Sequence, residues 1–187
     1  MAIDIAGATI QPSNTALSII ANSITGLNID ASNRVILSNR PSFFAEYNVA
    51  AWYNFTNGSF GLIPFNNAIW NNGSCYNTTT NAFTAPVTGV YYFASSLYFY
   101  KNTSTSADSY VHPMFFVNGS SLARSASSGG EYRIRGRTYY SSSYSHDTQI
   151  NNIFRLTAGD YVQLYVYGGG SLQWYGNESF FSGALIG

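Results

Sequence analysis

From Pro41 onward, short apolar and aromatic runs alternate with clusters of Gly, Asn, Ser and Thr, and within the runs the apolar positions recur at every second residue. That period predicts strands at about 43–53, 62–70, 81–85, 89–100, 109–117, 146–156, 160–167 and 178–186. The clearest is the run from Val90 to Tyr100, rich in β-branched and aromatic residues, with small residues in its middle. It follows Ala85-Pro86-Val87-Thr88-Gly89, a turn in which proline fixes φ and glycine is free to take a positive φ. Gly168-Gly169-Gly170 reads as a permissive hairpin turn between two late strands. Many short strands with Gly/Asn turns predict an all-β sandwich or jelly roll.

Residues 1–40 differ: they contain no aromatic residue. Leu27-Asn28-Ile29 and Val35-Ile36-Leu37 read as paired apolar alternations around an Asp30–Asn33 turn. Residues 15–25 are open to a short helix, because Leu17, Ile20 and Ile24 follow helical spacing. An isolated hairpin of this size is barely stable, so the segment is expected to need partners.

A length of 187 residues holds one ordinary domain and a small appendage. Aromatic residues make up 17% and charged residues 9%, with a formal net charge of zero and one lysine, Lys101. So weak a field argues against electrostatic capture of nucleic acid. No apolar run is long enough for a membrane-crossing helix, and Met1–Thr9 does not read as a secretory signal. Cys75 is alone and reads as a bystander thiol in a polar loop. Seven Asn-x-Ser/Thr sequons begin at Asn54, Asn57, Asn72, Asn77, Asn102, Asn118 and Asn177. In a chain this rich in Asn, Ser and Thr they read as polar loop composition.

The stretch Phe83–Phe93 resembles the central signature of the globular head of complement component 1q, a family related to tumour necrosis factor. Further pieces follow in that family's order: Ser42-Phe43-Phe44-Ala45, Ile63-Pro64-Phe65-Asn66, Phe115-Phe116-Val117-Asn118-Gly119, Leu156–Val162 and Phe180–Leu185. The resemblance covers about 145 residues. It departs from the family at Ala85, where a cysteine is common, and at residues 125–148, which look longer and more polar. No collagen-like stalk is read ahead of the domain. Gly26–Phe43 also resembles the junction ahead of such heads in phage and marine-virus fibres, with Asn33 where that pattern has glycine; asparagine also tolerates the left-handed region.

Chemistry is sparse. His112 lies in a strand beside Pro113 and reads as structural; His146-Asp147 could be half of an acid–base pair but has no placed nucleophile. The carboxylates Glu46, Asp108, Glu131 and Asp147 are scattered, and no catalytic residue, metal site or cofactor is expected, calcium included. Two segments carry recognition chemistry. Tyr132, Arg133, Arg135, Arg137, Tyr139, Tyr140 and Tyr144 stand among Ser and Gly, a composition that favours binding hot spots. Trp174-Tyr175 offers a flat aromatic face on which a sugar could stack, with Asn177 close by to bond hydroxyls. Packing within the subunit or against a neighbour stays open for both.

The resemblance implies a homotrimeric jelly-roll head of about ten strands at residues 41–187 on an attachment segment at 1–40. Thirty-two aromatic rings are more than one sandwich easily hides, which agrees with association. The expectation is a virion structural or adhesive protein, such as a fibre tip, knob or capsid decoration. It would join a capsid or tail protein through residues 1–40 and bind a host-surface glycan or protein, with no nucleic acid and no membrane insertion. A secreted or surface lectin-like protein, extracellular rather than virion-borne, and a glycan-processing enzyme remain as alternatives. The family's topology implies that the Tyr/Arg segment and Trp174-Tyr175 share the end remote from both termini of the head.

Overall fold

The computed structural model describes residues 8–13, 16–21, 24–30, 32, 34–37, 39–54, 58–101, 109–120, 138–140, 145–169 and 172–187. It divides into two compact units, Met1–Arg40 and Pro41–Gly187.

The first unit is a four-stranded antiparallel meander of β1 (Ala8–Ser13), β2 (Ala16–Ala21), β3 (Ile24–Ile29) and β4 (Val35–Ile36), in that order. The helical option at 15–25 is overturned. Ile19, Ile20, Ile24 and Thr25 are β-branched, and β2 pairs along its length with β1 on one side and β3 on the other. The β3–β4 turn is organised by Asp30, whose Oδ1 accepts from the amides of Ser32 (2.9 Å) and Arg34 (3.0 Å). Its Oδ2 takes the Arg34 guanidinium at 2.6 Å, and the hydrogen bonds from Arg34 hold the carboxyl below its ordinary range. Asn33 itself lies outside the described residues.

Among the described residues, the second unit holds twelve strands in two six-stranded sheets. They are β5 (Ser42–Glu46), β6 (Trp52–Asn54), β7 (Ser59–Leu62), β8 (Asn67–Asn72), β9 (Tyr76–Asn77), β10 (Ala82–Thr84), β11 (Gly89–Lys101), β12 (Ser109–Val117), β13 (Thr138–Tyr140), β14 (Ser145–Leu156), β15 (Tyr161–Gly169) and β16 (Leu172–Leu185). The first sheet runs β14-β11-β16-β5-β8, with β6 also paired to β16; the second runs β13-β12-β15-β10-β9, with β7 also on β15.

Several boundaries differ from the sequence reading, the last strand among them, which begins at Leu172 and not near 178. The segment 43–53 is split between β5 and β6. The segment 62–70 changes sheets, because β7 pairs with β15 while β8 pairs with β5. Gly168 and Gly169 end β15, which does not pair with β16 as a hairpin, because the two strands belong to different sheets; Gly170 lies outside the described residues.

The core lies between the layers. Along β11, Tyr91, Phe93, Ser95, Leu97 and Phe99 are buried and their alternates face outward. Phe43 stacks on Tyr76 at 4.7 Å and meets the edge of Phe181 at 4.9 Å, and Phe83 contacts Phe93 at 5.1 Å. Gly183 makes room for this cluster, since a Cβ there would stand 2.5 Å from Phe93 Cδ1 and 2.8 Å from Phe43 Cε1. Tyr165 is only half-buried, on an outer face against Phe116 at 4.1 Å.

The signature turn differs in its cause. Gly89 is not among the positive-φ residues; it is needed because a Cβ would meet Leu185 Cδ1 at 2.5 Å and the Gly187 carbonyl at 2.9 Å. The final residues are tied to Val90, whose carbonyl accepts from the amides of Ile186 and Gly187. The Leu185 amide donates to Pro41 (2.9 Å), so both ends of this unit lie together. The opposite end, called the far end below, carries the paired positions Tyr100, Ser145 and Gln173 in one sheet and Tyr110, Tyr139 and Gly169 in the other.

Candidate functional site

The outward positions of β11 and its neighbours gather aromatic rings from distant parts of the chain. Toward the far end, Trp52 lies 4.6 Å from Tyr175, 5.4 Å from Tyr100 and 5.8 Å from Tyr98. On the other half of the face, Phe44 stacks between Trp70 (4.9 Å) and Phe180 (5.0 Å). Tyr92 and Ile153 are exposed and paired across β11 and β14. Between these groups sit Ala94, Ser96, Ser182 and Ala184, small residues in register across β11 and β16. Trp52 is 40% exposed and Trp70 48%. The sequence reading singled out neither residue. Their signal was the strict alternation of β11, which leaves Tyr92, Tyr98 and Tyr100 outward once Tyr91, Phe93 and Phe99 are inward.

Trp174 does not belong to any surface. It is 1% exposed, packed against Tyr53 (5.2 Å), Tyr47 (5.6 Å) and Phe65 (6.0 Å). Its Nε1 donates to Ser179 Oγ at 2.8 Å; the same oxygen accepts from the Tyr98 amide (3.0 Å), and the hydroxyl donates to the Tyr175 carbonyl (2.9 Å). This buried node closes the loop of β16 formed by Gly176–Ser179, where β11 opposes four residues with Leu97 alone. The ring therefore cannot stack on a sugar. The physical reason is that β16 begins at Leu172, so Trp174 and Tyr175 are successive strand residues on opposite faces. Asn177 is exposed on that loop, away from a usable indole. Tyr47 hydrogen-bonds Tyr53 beside the indole, and that bond with burial pushes the Tyr53 phenol up to about 12.

Of the Tyr/Arg segment, Tyr132, Arg133, Arg135, Arg137 and Tyr144 lie outside the described residues. Tyr139 and Tyr140 fall on β13, their backbone paired with Tyr110 and Ser109 at the far end. His112 is buried on β12, its ring 5.2 Å from Tyr110. His146 and Asp147 are ordinary ladder positions of β14, opposite Phe99 and Tyr98. Among the described residues no three His, Cys, Asp or Glu side chains come together as a metal site would require.

The polar loop at 71–80 is built on side-chain bonds. Asn71 both accepts from the Tyr76 amide (2.9 Å) and donates to the Tyr76 carbonyl (2.8 Å), while Asn77 Oδ1 caps the amides of Thr79 and Thr80. That fold turns Cys75 inward, 4% exposed in the core, where burial pushes its thiol up to about 11.

The Asn118-Gly119 turn has both residues at positive φ, 52° and 76°, closed by reciprocal bonds between Val117 and Ser120. Asn118 also donates to Asp160 (2.8 Å) and accepts from the Tyr161 amide (3.0 Å), joining two motif segments about forty residues apart.

Residues 43–186 match the C1q domain family. The chain belongs to that family. The match takes in nearly all of Pro41–Gly187 and none of the first unit. Among solved structures, the globular domain of zebrafish complement 1qA protein superposes with a TM-score of 0.53 at 18% identity, covering 79% of this chain and 98% of that one. Murine APRIL gives 0.49 at 11% identity, covering 79% and 99%, and Eiger TNF from S. frugiperda 0.44 at 15%, covering 79% and 94%. The head of this chain is a jelly roll of the C1q type, with twelve described strands where about ten were expected.

Proposed function

We propose that this protein is a trimeric recognition head of a virus particle, a fibre tip, knob or capsid decoration, which binds a host-surface ligand by its far end. The observation that carries the reading is the outward face of the β14-β11-β16-β5-β8 sheet. Exposed Trp52, Trp70, Tyr92 and Ile153 border a centre of Ala94, Ser96, Ser182 and Ala184. A contiguous aromatic patch of this kind on a soluble domain favours association, and small residues at its centre let backbones approach closely. Three copies joined there present three far ends on one side and three Pro41 positions on the other, so weak single sites gain from effective concentration.

The virion assignment is supported by the resemblance of Gly26–Phe43 to fibre junctions and by the separate fold of Met1–Arg40, which suits attachment. Recognition on this reading falls to Tyr139 and Tyr140 of β13 with Tyr132, Arg133, Arg135, Arg137 and Tyr144 beside them in sequence. Trp174 is withdrawn. One experiment tests the whole. The full chain should run at roughly 61 kDa by light scattering, three chains of 20.4 kDa, and remain so on dilution. An antibody against it should label particles made with the full chain but not those made with residues 1–40 deleted. A monomer, or label on particles carrying the truncated head, refutes the proposal.

A further inference from the structure

The second sheet has its own ring-covered outer face, and it is unlike the first. On β15, Tyr165 and Tyr167 point outward; β7 contributes Phe60 beside them and β12 contributes Tyr110, His112 and Phe116. The rings form one connected surface: Phe60 lies 5.0 Å from Tyr167 and 5.4 Å from Phe116, which stacks on Tyr165 at 4.1 Å. Tyr110 continues it at 6.0 Å from Tyr167. Phe60 is 50% exposed, Tyr110, Tyr165 and Tyr167 are half-buried and Phe116 and His112 buried beside them, so the rings are held in place before any ligand arrives. The surface lies mostly in the far half of the sheet, since Tyr167 and Tyr110 sit level with Gly168 and Gly169 at the end of β15.

We infer that this face of β7, β15 and β12 is a stacking platform for a neutral oligosaccharide. Three observations select that occupant. First, β7, β12 and β15 contain no Asp, Glu, Lys or Arg, so nothing on these strands complements an anionic or cationic ligand. Second, the face is small. Three strands at ~4.8 Å spacing span about 10 Å, and a stable protein interface takes about 800 Å² from each partner. Third, the exposed ring of Phe60 carries negative quadrupole potential on its faces, which suits the weakly positive C–H face of a pyranose.

The inference rests on the adhesive reading of the head and names its ligand class. The test is calorimetric titration of the intact full chain with cellohexaose, mannohexaose and maltohexaose, with sialyllactose as the charged comparison. At least one neutral hexasaccharide should bind. Phe60→Ser should weaken it at least tenfold, about 1.4 kcal/mol, with oligomeric mass unchanged, and Phe60→Trp should restore it. Should Phe60→Ser fail to fold, Tyr167→Ser reads the same platform. No binding of any neutral probe, equal binding by the variants, or preference for sialyllactose overturns the inference. Host-cell binding by wild type and Phe60→Ser alike would remove the platform while leaving the adhesive function standing; absence of cell binding by wild type would remove that function.

Discussion

Replacing Trp174 by alanine should destabilise the head severely. The side chain is 1% exposed and fills the space between Tyr47, Tyr53 and Phe65. Truncating a buried Trp costs about 3–5 kcal/mol through lost transfer energy and the cavity left behind. Part of the loss is the Nε1 bond to Ser179, worth about 1 kcal/mol net. Ser179 keeps its other partners, the Tyr98 amide and the Tyr175 carbonyl, so the polar penalty is limited and the cavity dominates. At ~2–4 °C per kcal/mol for a domain of this size, Tm should fall by about 10 °C. Trp174→Phe shifts the balance between the two contributions: the N–H goes with a minor part of the ring volume while most of the packing stays, and the drop should be under half as large. Near-ultraviolet circular dichroism during heating reads both variants. A Trp174→Ala protein that melts with the wild type but no longer binds carbohydrate would refute the packing argument and return the indole to the surface.

Other substitutions probe other parts of the fold. Gly183→Ala should cost about 1–3 kcal/mol by overpacking, because its Cβ would stand 2.5 Å from Phe93, and urea unfolding should show a lower midpoint. Ala94→Arg, in the small-residue centre of the first sheet's outer face, should give a folded monomer by light scattering; an intact trimer would move the interface elsewhere. Cys75 should resist aromatic disulfide reagents at pH 8 until the protein unfolds, since burial raises its thiol from 9.0 to about 11. The sign for stability follows. Above pH 9 the unfolded thiol ionises while the folded one stays neutral, so stability should fall between pH 9 and 11, and Cys75→Ala should flatten that fall.

Much of the fold was legible because it depends on local pattern. The alternation of β11 separates its inward Tyr91, Phe93 and Phe99 from its outward Tyr92, Tyr98 and Tyr100, and Asn118-Gly119 supplies the two positive-φ residues its turn requires. What stayed hidden depended on distance in sequence. Phe60 and Tyr167 are over a hundred residues apart, and no local signal says that β7 pairs with β15. Trp174 was misread for a related reason: glycines before it suggested a loop tip, whereas the strand had already begun, and its partners Tyr47, Tyr53 and Phe65 come from far upstream. Tyr175, one residue on, lies on the outer face against Trp52.

The joining of Pro41 to Leu185 has a mechanical consequence. β5 leaves the end that carries Pro41 and runs lengthwise between β16 and β8, paired with both from Ser42 to Glu46. A tension applied between the far end and residue 41 therefore pulls along β5, not across it. The hydrogen bonds on both its edges share that load together instead of opening one after another. Strands loaded in this shearing direction give way at far higher force than strands peeled from an end. A head hung by this strand resists unravelling under a pull applied at residue 41.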